Sequence, residues 1–156
     1  MIRMTRLTDY GIMLLAHFAR DPEHKMHNAR DIACAAHLPL PTVNKILKAL
    51  TRKGLLLSHR GVKGGYSLAR TPEKITVADI ITATEGPVAL TICTAALPGS
   101  CAQEESCPVH SSWQKINNAI RTALESVSLS EMAKPISFRS RKSGKPIQLE
   151  RRAGNP

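Results

Sequence analysis

The sequence predicts a mainly α-helical fold with one small β-hairpin. Apolar residues recur at helical spacing in several short segments, and a glycine-rich turn separates two short apolar runs, which is typical of a hairpin. Apolar residues make up 42% of the 156-residue chain but aromatic residues only 3%, so Leu, Ile, Val and Ala must build the core.

Charge is unevenly distributed along the chain, whose formal net charge is +10. Residues 1–70 carry a net charge of +8, residues 71–133 carry −4 and residues 134–156 carry +6. The basic first segment is therefore the best candidate for a contact with nucleic acid. The last segment combines Pro, Gly, Ser and Arg without periodicity, which predicts a basic, disordered tail.

No apolar run approaches the roughly 18 to 20 residues that a membrane span requires. The short apolar stretch at residues 12–19 follows Asp9 and contains His17, which is unlike a signal peptide. We therefore expect a soluble, cytoplasmic protein that has no membrane partner.

Three helix patterns occupy the first 54 residues. Thr8 is placed to cap the first helix, and Asn28 is placed to cap the second. Pro41 fits the first turn of a third helix, which Gly54 ends. The short connection between the second and third helices predicts a helix-turn-helix.

The third helix carries the polar residues expected of a helix that enters the major groove of DNA. Its candidate contacts with phosphates and base edges are Thr42, Asn44, Lys45, Lys48 and Arg52. Taken alone, such a helix could equally be an ordinary charged surface.

A hairpin predicted after this helix favours DNA binding over an ordinary charged surface. Residues 55–60 and 66–70 are expected to form two strands around a glycine-rich turn, where Arg60 and Lys63 supply charge. A hairpin after a recognition helix makes a winged helix-turn-helix, and its glycines allow a close approach to DNA. We predict a DNA-binding domain at residues 1–72.

A cysteine-rich segment follows, within a connecting region predicted at residues 73–107. Three cysteines and a histidine form the pattern C-x7-C-x5-C-x2-H, at Cys93, Cys101, Cys107 and His110. Three clustered thiols cannot pair evenly and disulfides are rare in cytosolic proteins, so the pattern predicts a metal site. Cys34 stands apart among alanines and is predicted to be a small buried side chain.

The pattern of cysteines and histidine does not decide which metal group binds. Thiolate-rich sites suit both zinc and iron–sulfur clusters, and the spacing is one residue shorter at two gaps than in CCCH zinc fingers that bind RNA. Few large apolar residues lie between Cys93 and His110, and so open a loop weakly favours a cluster, which is larger than one ion.

Residues 108–133 predict one long helix, because apolar residues recur mostly every three or four positions. These residues are Val109, Trp113, Ile116, Ile120, Ala123, Leu124 and Val127. A core helix is one explanation, but so long a stripe favours a dimerisation helix. A homodimer would place two recognition helices about 34 Å apart on a pseudo-palindromic DNA site.

Residues 2–133 resemble the Rrf2 family, the IscR/NsrR type of bacterial winged-helix regulators. The resemblance is carried by MTRLTDYGIMLLAHFA, LPLPTVNKILKALTRKGLL, RGVKGGYSL, ITVADIITATEG and the three spaced cysteines. It implies a homodimer that senses through an iron–sulfur cluster and controls genes for cluster assembly, nitric-oxide defence or related redox and iron functions.

Two branches of the family imply different fourth ligands. The run CPVHSSW resembles the IscR branch, in which a histidine two residues past the third cysteine completes a [2Fe-2S] site, and this implies His110. The NsrR branch uses an aspartate near the start of the first helix, donated across the dimer to a [4Fe-4S] cluster, and Asp9 occupies that place. A carboxylate in a first helical turn is also favoured by the helix dipole alone. We favour His110 and a [2Fe-2S] cluster.

Two positions depart from the IscR pattern. The gap between the first two cysteines is longer, and Asn44 replaces the acidic residue that IscR uses on its recognition helix, so the operator sequence is not carried over. We expect a repressor, not an enzyme, that reports cluster status to SUF-type cluster-assembly genes and takes no small-molecule substrate. The alternatives are an NsrR-like nitric-oxide sensor and a zinc-stabilised module that binds nucleic acid.

Overall fold

A computed structural model describes residues 3–20, 26–61, 64–95, 101–104 and 106–134 of the protein. Along this part of the chain lie the helices and strands α1 (Arg6–Arg20), α2 (Ala29–Ala35), α3 (Leu40–Arg52), β1 (Leu56–His59), β2 (Gly65–Leu68), α4 (Val77–Thr84), α5 (His110–Glu125) and α6 (Leu129–Ala133). Lys63 and the predicted tail beyond residue 134 lie outside the described residues. None of the described helices combines the length and the apolar character needed to cross a membrane.

Helices α2 and α3 form the predicted helix-turn-helix. Asn28 caps α2, because its side-chain oxygen accepts a hydrogen bond from the backbone N–H of Asp31 at 2.9 Å. The turn passes through His37, whose φ of 51° lies in the left-handed region. Pro41 lies in the first turn of α3, and Gly54 follows its end with a φ of 72°. The predicted start signals of both helices and the predicted stop signal of α3 are confirmed.

The predicted hairpin is an antiparallel pair in which Leu56 lies opposite Leu68. Its second strand also pairs with the residue that precedes the cap of α2. The N–H of His27 donates to the carbonyl of Tyr66 at 2.9 Å, and the N–H of Tyr66 donates back at 2.8 Å. A Cβ on Gly65 would lie 2.6 Å from the carbonyl oxygen of His27, so only glycine fits there. The hairpin is thus attached at its base to the helix-turn-helix.

The core is aliphatic, as the composition predicts. Among the described residues, its largest fully buried side chains are Leu14, Leu15, Ile32, Val43, Ile46, Leu47, Leu50, Leu55, Leu56, Ile75, Ile80 and Leu129. Burial of each such side chain contributes about 1.5–3 kcal/mol to stability. Ile80 of α4 and Leu129 of α6 belong to the same cluster as the first three helices, so one core extends past residue 72.

The C-terminal region is not the single long helix that the sequence predicts. Helix α5 ends at Glu125, and α6 begins at Leu129, which is fully buried against the core. Ser128 and Glu131 form a capping box, in which the Ser128 hydroxyl accepts from the N–H of Glu131 at 3.3 Å. The prediction is wrong because apolar periodicity continues through this cap and conceals a local helix start.

Two smaller predictions are also wrong. Thr8 does not cap α1, since the helix begins at Arg6 and the hydroxyl of Thr5 accepts from the N–H of Thr8 at 3.4 Å. Thr8 is instead fully buried. Cys34 is exposed, because the buried face of α2 passes through its neighbours Ile32 and Ala33.

Candidate DNA-binding surface and cysteine segment

Helix α3 has one apolar face and one polar face. The apolar face is fully buried and consists of Val43, Ile46, Leu47 and Leu50. The five predicted contact residues of this helix all lie outside that face. Lys45, Lys48 and Arg52 are exposed, and Thr42 and Asn44 are half-buried. Because helix positions three and four apart share a face, the three cations form one basic row.

A groove of about 510 Å³ lies between α3 and the hairpin. It is lined by Lys48, Thr51 and Arg52 of α3 and by Ser58 and Tyr66 of the hairpin. Ser58 and Tyr66 are directly opposite in the strand register, so both side chains are on the same face of the hairpin. Cations of the helix therefore lie beside the wing. Sequence reasoning did not select Ser58 or Tyr66, although the register of the hairpin could have indicated them.

Two predicted DNA contacts, Arg60 and Lys63, belong to the wing. Arg60 is exposed immediately after β1, and Lys63 lies outside the described residues. Across the strands, the ring nitrogen Nε2 of His59 and the hydroxyl of Ser67 are 2.9 Å apart. This pair ties the two strands together near the tip, next to the predicted contact at Arg60.

The proposed thiol ligands are free and half-buried. Cys93 lies in a short 3-10 turn, Ile92–Thr94, whereas Cys101 and Cys107 precede α5 and His110 is its first residue. The N–H of His110 donates to the carbonyl of Cys107 at 3.2 Å. Within the described residues, no group of three or more Cys, His, Asp or Glu side chains lies close enough to hold a metal ion. The predicted ligands lie in one segment of the chain, but no three of them converge.

The chemistry of these donors nevertheless fits a metal group. The Nδ1 atom of His110 is buried and has no hydrogen-bond partner among the residues that the structure describes. Leaving a buried polar atom unpaired costs about 1–3 kcal/mol, so a ligand bound to this nitrogen would remove that cost. An imidazole nitrogen with three thiols is a donor set that suits zinc and iron–sulfur clusters alike.

Asp9, the rival fourth ligand, is exposed in the first turn of α1. It lies next to a polar junction between α1 and α4. There the carboxylate of Glu85 accepts from the hydroxyl of Thr8 and from the N–H of Thr5. These hydrogen bonds lower the pKa of Glu85, because they favour the charged carboxylate. Asp9 therefore lies beside the contact that joins the first helix to the helix leading to the cysteines.

Helix α5 leaves most of its apolar side chains outside the core. Ile116 is 46% exposed and Trp113 is 37% exposed, and Val109 immediately before the helix is 50% exposed. Of the residues in α5, all of which the structure describes, only Asn117 is buried. An apolar stripe of this kind is characteristic of a helix that packs against a partner.

Comparison with known proteins identifies the family. Residues 4–135 match the Rrf2 family model, described as an iron-dependent transcriptional regulator. The chain belongs to the Rrf2 family. The resemblance that the sequence motifs predicted is thus confirmed, and this Rrf2 protein is a regulator of transcription, not an enzyme.

Solved structures support the same assignment. CymR, the global cysteine regulator of B. subtilis, is 27% identical, with a TM-score of 0.65 over 85% of this chain and 97% of CymR. IscR of T. potens is 27% identical, with a TM-score of 0.62 over 84% of this chain and 85% of IscR. Among the relatives found by sequence, the transcriptional regulator NsrR of Shouchella clausii is 27% identical over 68% of this chain and 71% of its own. These similarities confirm the winged helix-turn-helix of this Rrf2 regulator.

The signal to which this Rrf2 regulator responds is a separate question. The family description names iron, whereas CymR is described as a regulator of cysteine. Membership of the Rrf2 family therefore establishes control of transcription, whereas the signal depends on the residues particular to this chain.

Proposed function

We propose that the protein is a homodimeric repressor that senses iron–sulfur cluster status through Cys93, Cys101, Cys107 and His110. The observation that carries the proposal is the buried Nδ1 of His110, which has no hydrogen-bond partner within the described part of the chain. It lies three positions after a free thiol, in a chain of an iron-dependent family. The regulated genes are those of SUF-type cluster assembly, and the protein works in the cytoplasm, where its operator DNA lies.

DNA binding uses α3 in the major groove and the hairpin as a wing. The contacts are Thr42, Asn44, Lys45, Lys48, Arg52, Arg60 and Lys63. The cations bind phosphates, while Thr42 and Asn44 reach base edges. The groove beside Lys48 and Arg52 supports this assignment, because it brings the basic row of α3 and the hairpin onto one surface.

Dimerisation uses the exposed apolar stripe of α5. Trp113 and Ile116 remain substantially exposed in one chain, and a second copy would remove them from water. A symmetric pair places two α3 helices on a pseudo-palindromic operator, with half-sites about one DNA turn apart.

The cluster is a [2Fe-2S] group held by three thiolates and the imidazole of His110. When bound, it supplies a group whose presence depends on iron, sulfide and oxidants. The residues of the chain provide the connection to DNA. The cysteine segment follows α4, the end of α4 is hydrogen-bonded to α1, and α1 shares a core with α3.

Anaerobic purification tests this proposal. We expect coloured protein with charge-transfer bands and two iron and two sulfide per chain, and loss of both in His110→Ala but not in Asp9→Ala. At one salt concentration, loaded and cluster-free protein should differ in operator affinity.

Three results would contradict the proposal in different ways. Colourless anaerobic protein with one zinc per chain indicates the zinc-stabilised module. Cluster loss in Asp9→Ala with retention in His110→Ala indicates an NsrR-like [4Fe-4S] sensor of nitric oxide. Equal operator affinity with and without the cluster removes the sensing role.

A further inference from the structure

Two side chains of α5 hold the backbone of the segment that carries Cys93. Asn117 accepts from the N–H of Leu90 at 3.0 Å through Oδ1, and it donates to the carbonyl of Val88 at 3.2 Å through Nδ2. Gln114 donates to the carbonyl of Cys93 at 3.0 Å. Positions 114 and 117 are three apart and lie on one face of the helix. We call these two side chains the α5 latch.

Asn117 is unusual for its burial. It is 5% exposed, whereas every other residue of α5 is exposed or partly buried. The segment it binds contains only one short 3-10 turn, so its backbone groups have few partners in regular structure. A single amide that offers one acceptor and one donor satisfies two of them at once. The buried amide of Asn117 therefore holds the backbone of this segment through specific hydrogen bonds and does not merely occupy space in the core.

The turn that carries Cys93 is fixed internally. The hydroxyl of Thr94 donates to the carbonyl of Thr91 at 2.9 Å and accepts from the N–H of Thr91 at 3.1 Å. The hydroxyl of Thr91 lies 3.2 Å from the sulfur of Cys93. Because this turn is held together, the contact of Gln114 with the Cys93 carbonyl and the contacts of Asn117 with Val88 and Leu90, just before the turn, fix where the backbone of Cys93 lies relative to α5.

The helix that grips this turn also begins at His110. The first thiol and the imidazole are 17 positions apart, yet both are positioned by α5: His110 because it is part of the helix, and Cys93 because the latch holds its backbone. The distance between two proposed ligands thus depends on two uncharged side chains that are not themselves donors to a metal.

We propose that Asn117, assisted by Gln114, is a positioning residue that sets Cys93 against His110 for metal coordination. The inference rests on the proposed function, because it assumes that these two residues are ligands. Asn117 acts only through the backbone of Val88 and Leu90. Since α5 is also the proposed dimerisation helix, the latch connects the cysteine segment to the dimer interface.

The first test measures the latch without any metal. Hydrogen exchange of the Leu90 amide is followed in metal-free wild-type protein, Asn117→Ala, Asn117→Asp and the exposed neighbour Asn118→Ala. We expect exchange at Leu90 to be about fivefold faster or more in Asn117→Ala and unchanged in Asn118→Ala. Asn117→Asp keeps an acceptor for this amide and should retain its protection. Equal exchange in wild type and Asn117→Ala overturns the proposal.

The second test measures coordination with cobalt(II) added alone under anaerobic conditions. Charge-transfer absorbance from thiolate to cobalt reports how many sulfurs bind. Relative to wild type, Asn117→Ala should bind cobalt about 10-fold more weakly or worse and show fewer bound thiolates, and Asn118→Ala should match wild type. Asn117→Asp should recover part of the loss, which a variant that simply misfolds would not do.

The outcomes separate the two proposals. If wild-type protein and Asn117→Ala bind cobalt with the same affinity and spectrum, the positioning role is overturned while the metal site stands. If wild-type protein binds neither cobalt nor a cluster, the proposed function fails and the positioning role fails with it. The operator affinity of each metal-free variant, compared with wild type, shows that the DNA-binding fold is intact.

Discussion

The hydroxyl of Thr8 in α1 lies 2.7 Å from the hydroxyl of Thr84 in α4, although 76 positions separate the two residues. The carboxylate of Glu85 completes this junction by accepting from Thr8 and from the N–H of Thr5. The contact joins the helix at the start of the DNA-binding core to the helix that leads into the cysteine segment.

The junction predicts a pH dependence of stability. Hydrogen bonds from Thr8 and Thr5 lower the pKa of Glu85 from its ordinary value of 4.5. A group whose folded pKa is lowered stabilises the protein above its unfolded pKa, and the stabilisation disappears as pH falls through the folded pKa. We expect Glu85→Gln to lower the free energy of unfolding at pH 7 by less than about 1 kcal/mol, because solvent screens the exposed carboxylate.

Denaturant unfolding of wild type and Glu85→Gln between pH 7 and pH 3 checks this dependence. The difference between the two proteins should be constant above about pH 5 and shrink in more acidic solution. Glu73→Gln removes an exposed carboxylate away from this junction and serves as the control. A difference that grows as pH falls, or one that Glu73→Gln reproduces, contradicts the role of Glu85.

The turn between α2 and α3 predicts a stabilising substitution. His37 has a φ of 51°, a conformation that is strained for a side chain with a Cβ and unstrained for glycine. We expect His37→Gly to raise the free energy of unfolding by about 0.5–1 kcal/mol. Its neighbour Ala36 has a φ of −86°, so Ala36→Gly should lower stability by a similar amount. Thermal or denaturant unfolding measures both, and destabilisation by His37→Gly would show that the imidazole makes a contact worth more than the strain.

Local signals account for what the sequence could predict. Asn28 and Gly54 each act within three or four residues, and the helix boundaries they mark are correct. The errors involve distant partners. Thr8 is a residue type that often caps helices, but its hydroxyl instead contacts the hydroxyl of Thr84 in α4. The role of Asn117 likewise depends on a backbone contact with Leu90, 27 positions away. A single sequence contains no pattern that reports such contacts, which is also why it could propose candidate ligands but not their geometry.

Base recognition predicts a change in specificity at Asn44. An amide side chain can pair with adenine through two hydrogen bonds, and such a pair discriminates by about 1–3 kcal/mol against other bases. Asn44 lies on α3 outside the buried face, next to the basic row. We expect Asn44→Ala to relax base preference at one position in each half-site, as measured by selection from randomised operators. An unchanged preference would remove Asn44 from the set of base contacts.

Phosphate binding predicts a different result at Lys48. This exposed cation lines the groove between α3 and the hairpin. Lys48→Ala should weaken binding to all DNA sequences alike and reduce the slope of log affinity against log salt by about one per bound protomer. Lys74→Ala removes an exposed cation outside the proposed surface and is the control. Equal effects of the two substitutions would mean that general charge, and not a contact at Lys48, determines affinity.

The exposed stripe of α5 predicts the oligomeric state. Ile116 is 46% exposed in one chain, so a charge there disturbs little within that chain but would be buried in the proposed dimer interface. We expect Ile116→Glu to convert a dimer into a monomer in sedimentation analysis, with circular dichroism and thermal unfolding of the helix-turn-helix core nearly unchanged. Operator affinity should fall steeply, because each monomer reaches only one half-site. Asn118→Glu introduces the same charge at an exposed position two residues along the helix, where the turn of the helix points it away from the stripe, and should remain dimeric. A wild-type protein that sediments as a monomer, or an Ile116→Glu variant that remains a dimer, would place the interface elsewhere.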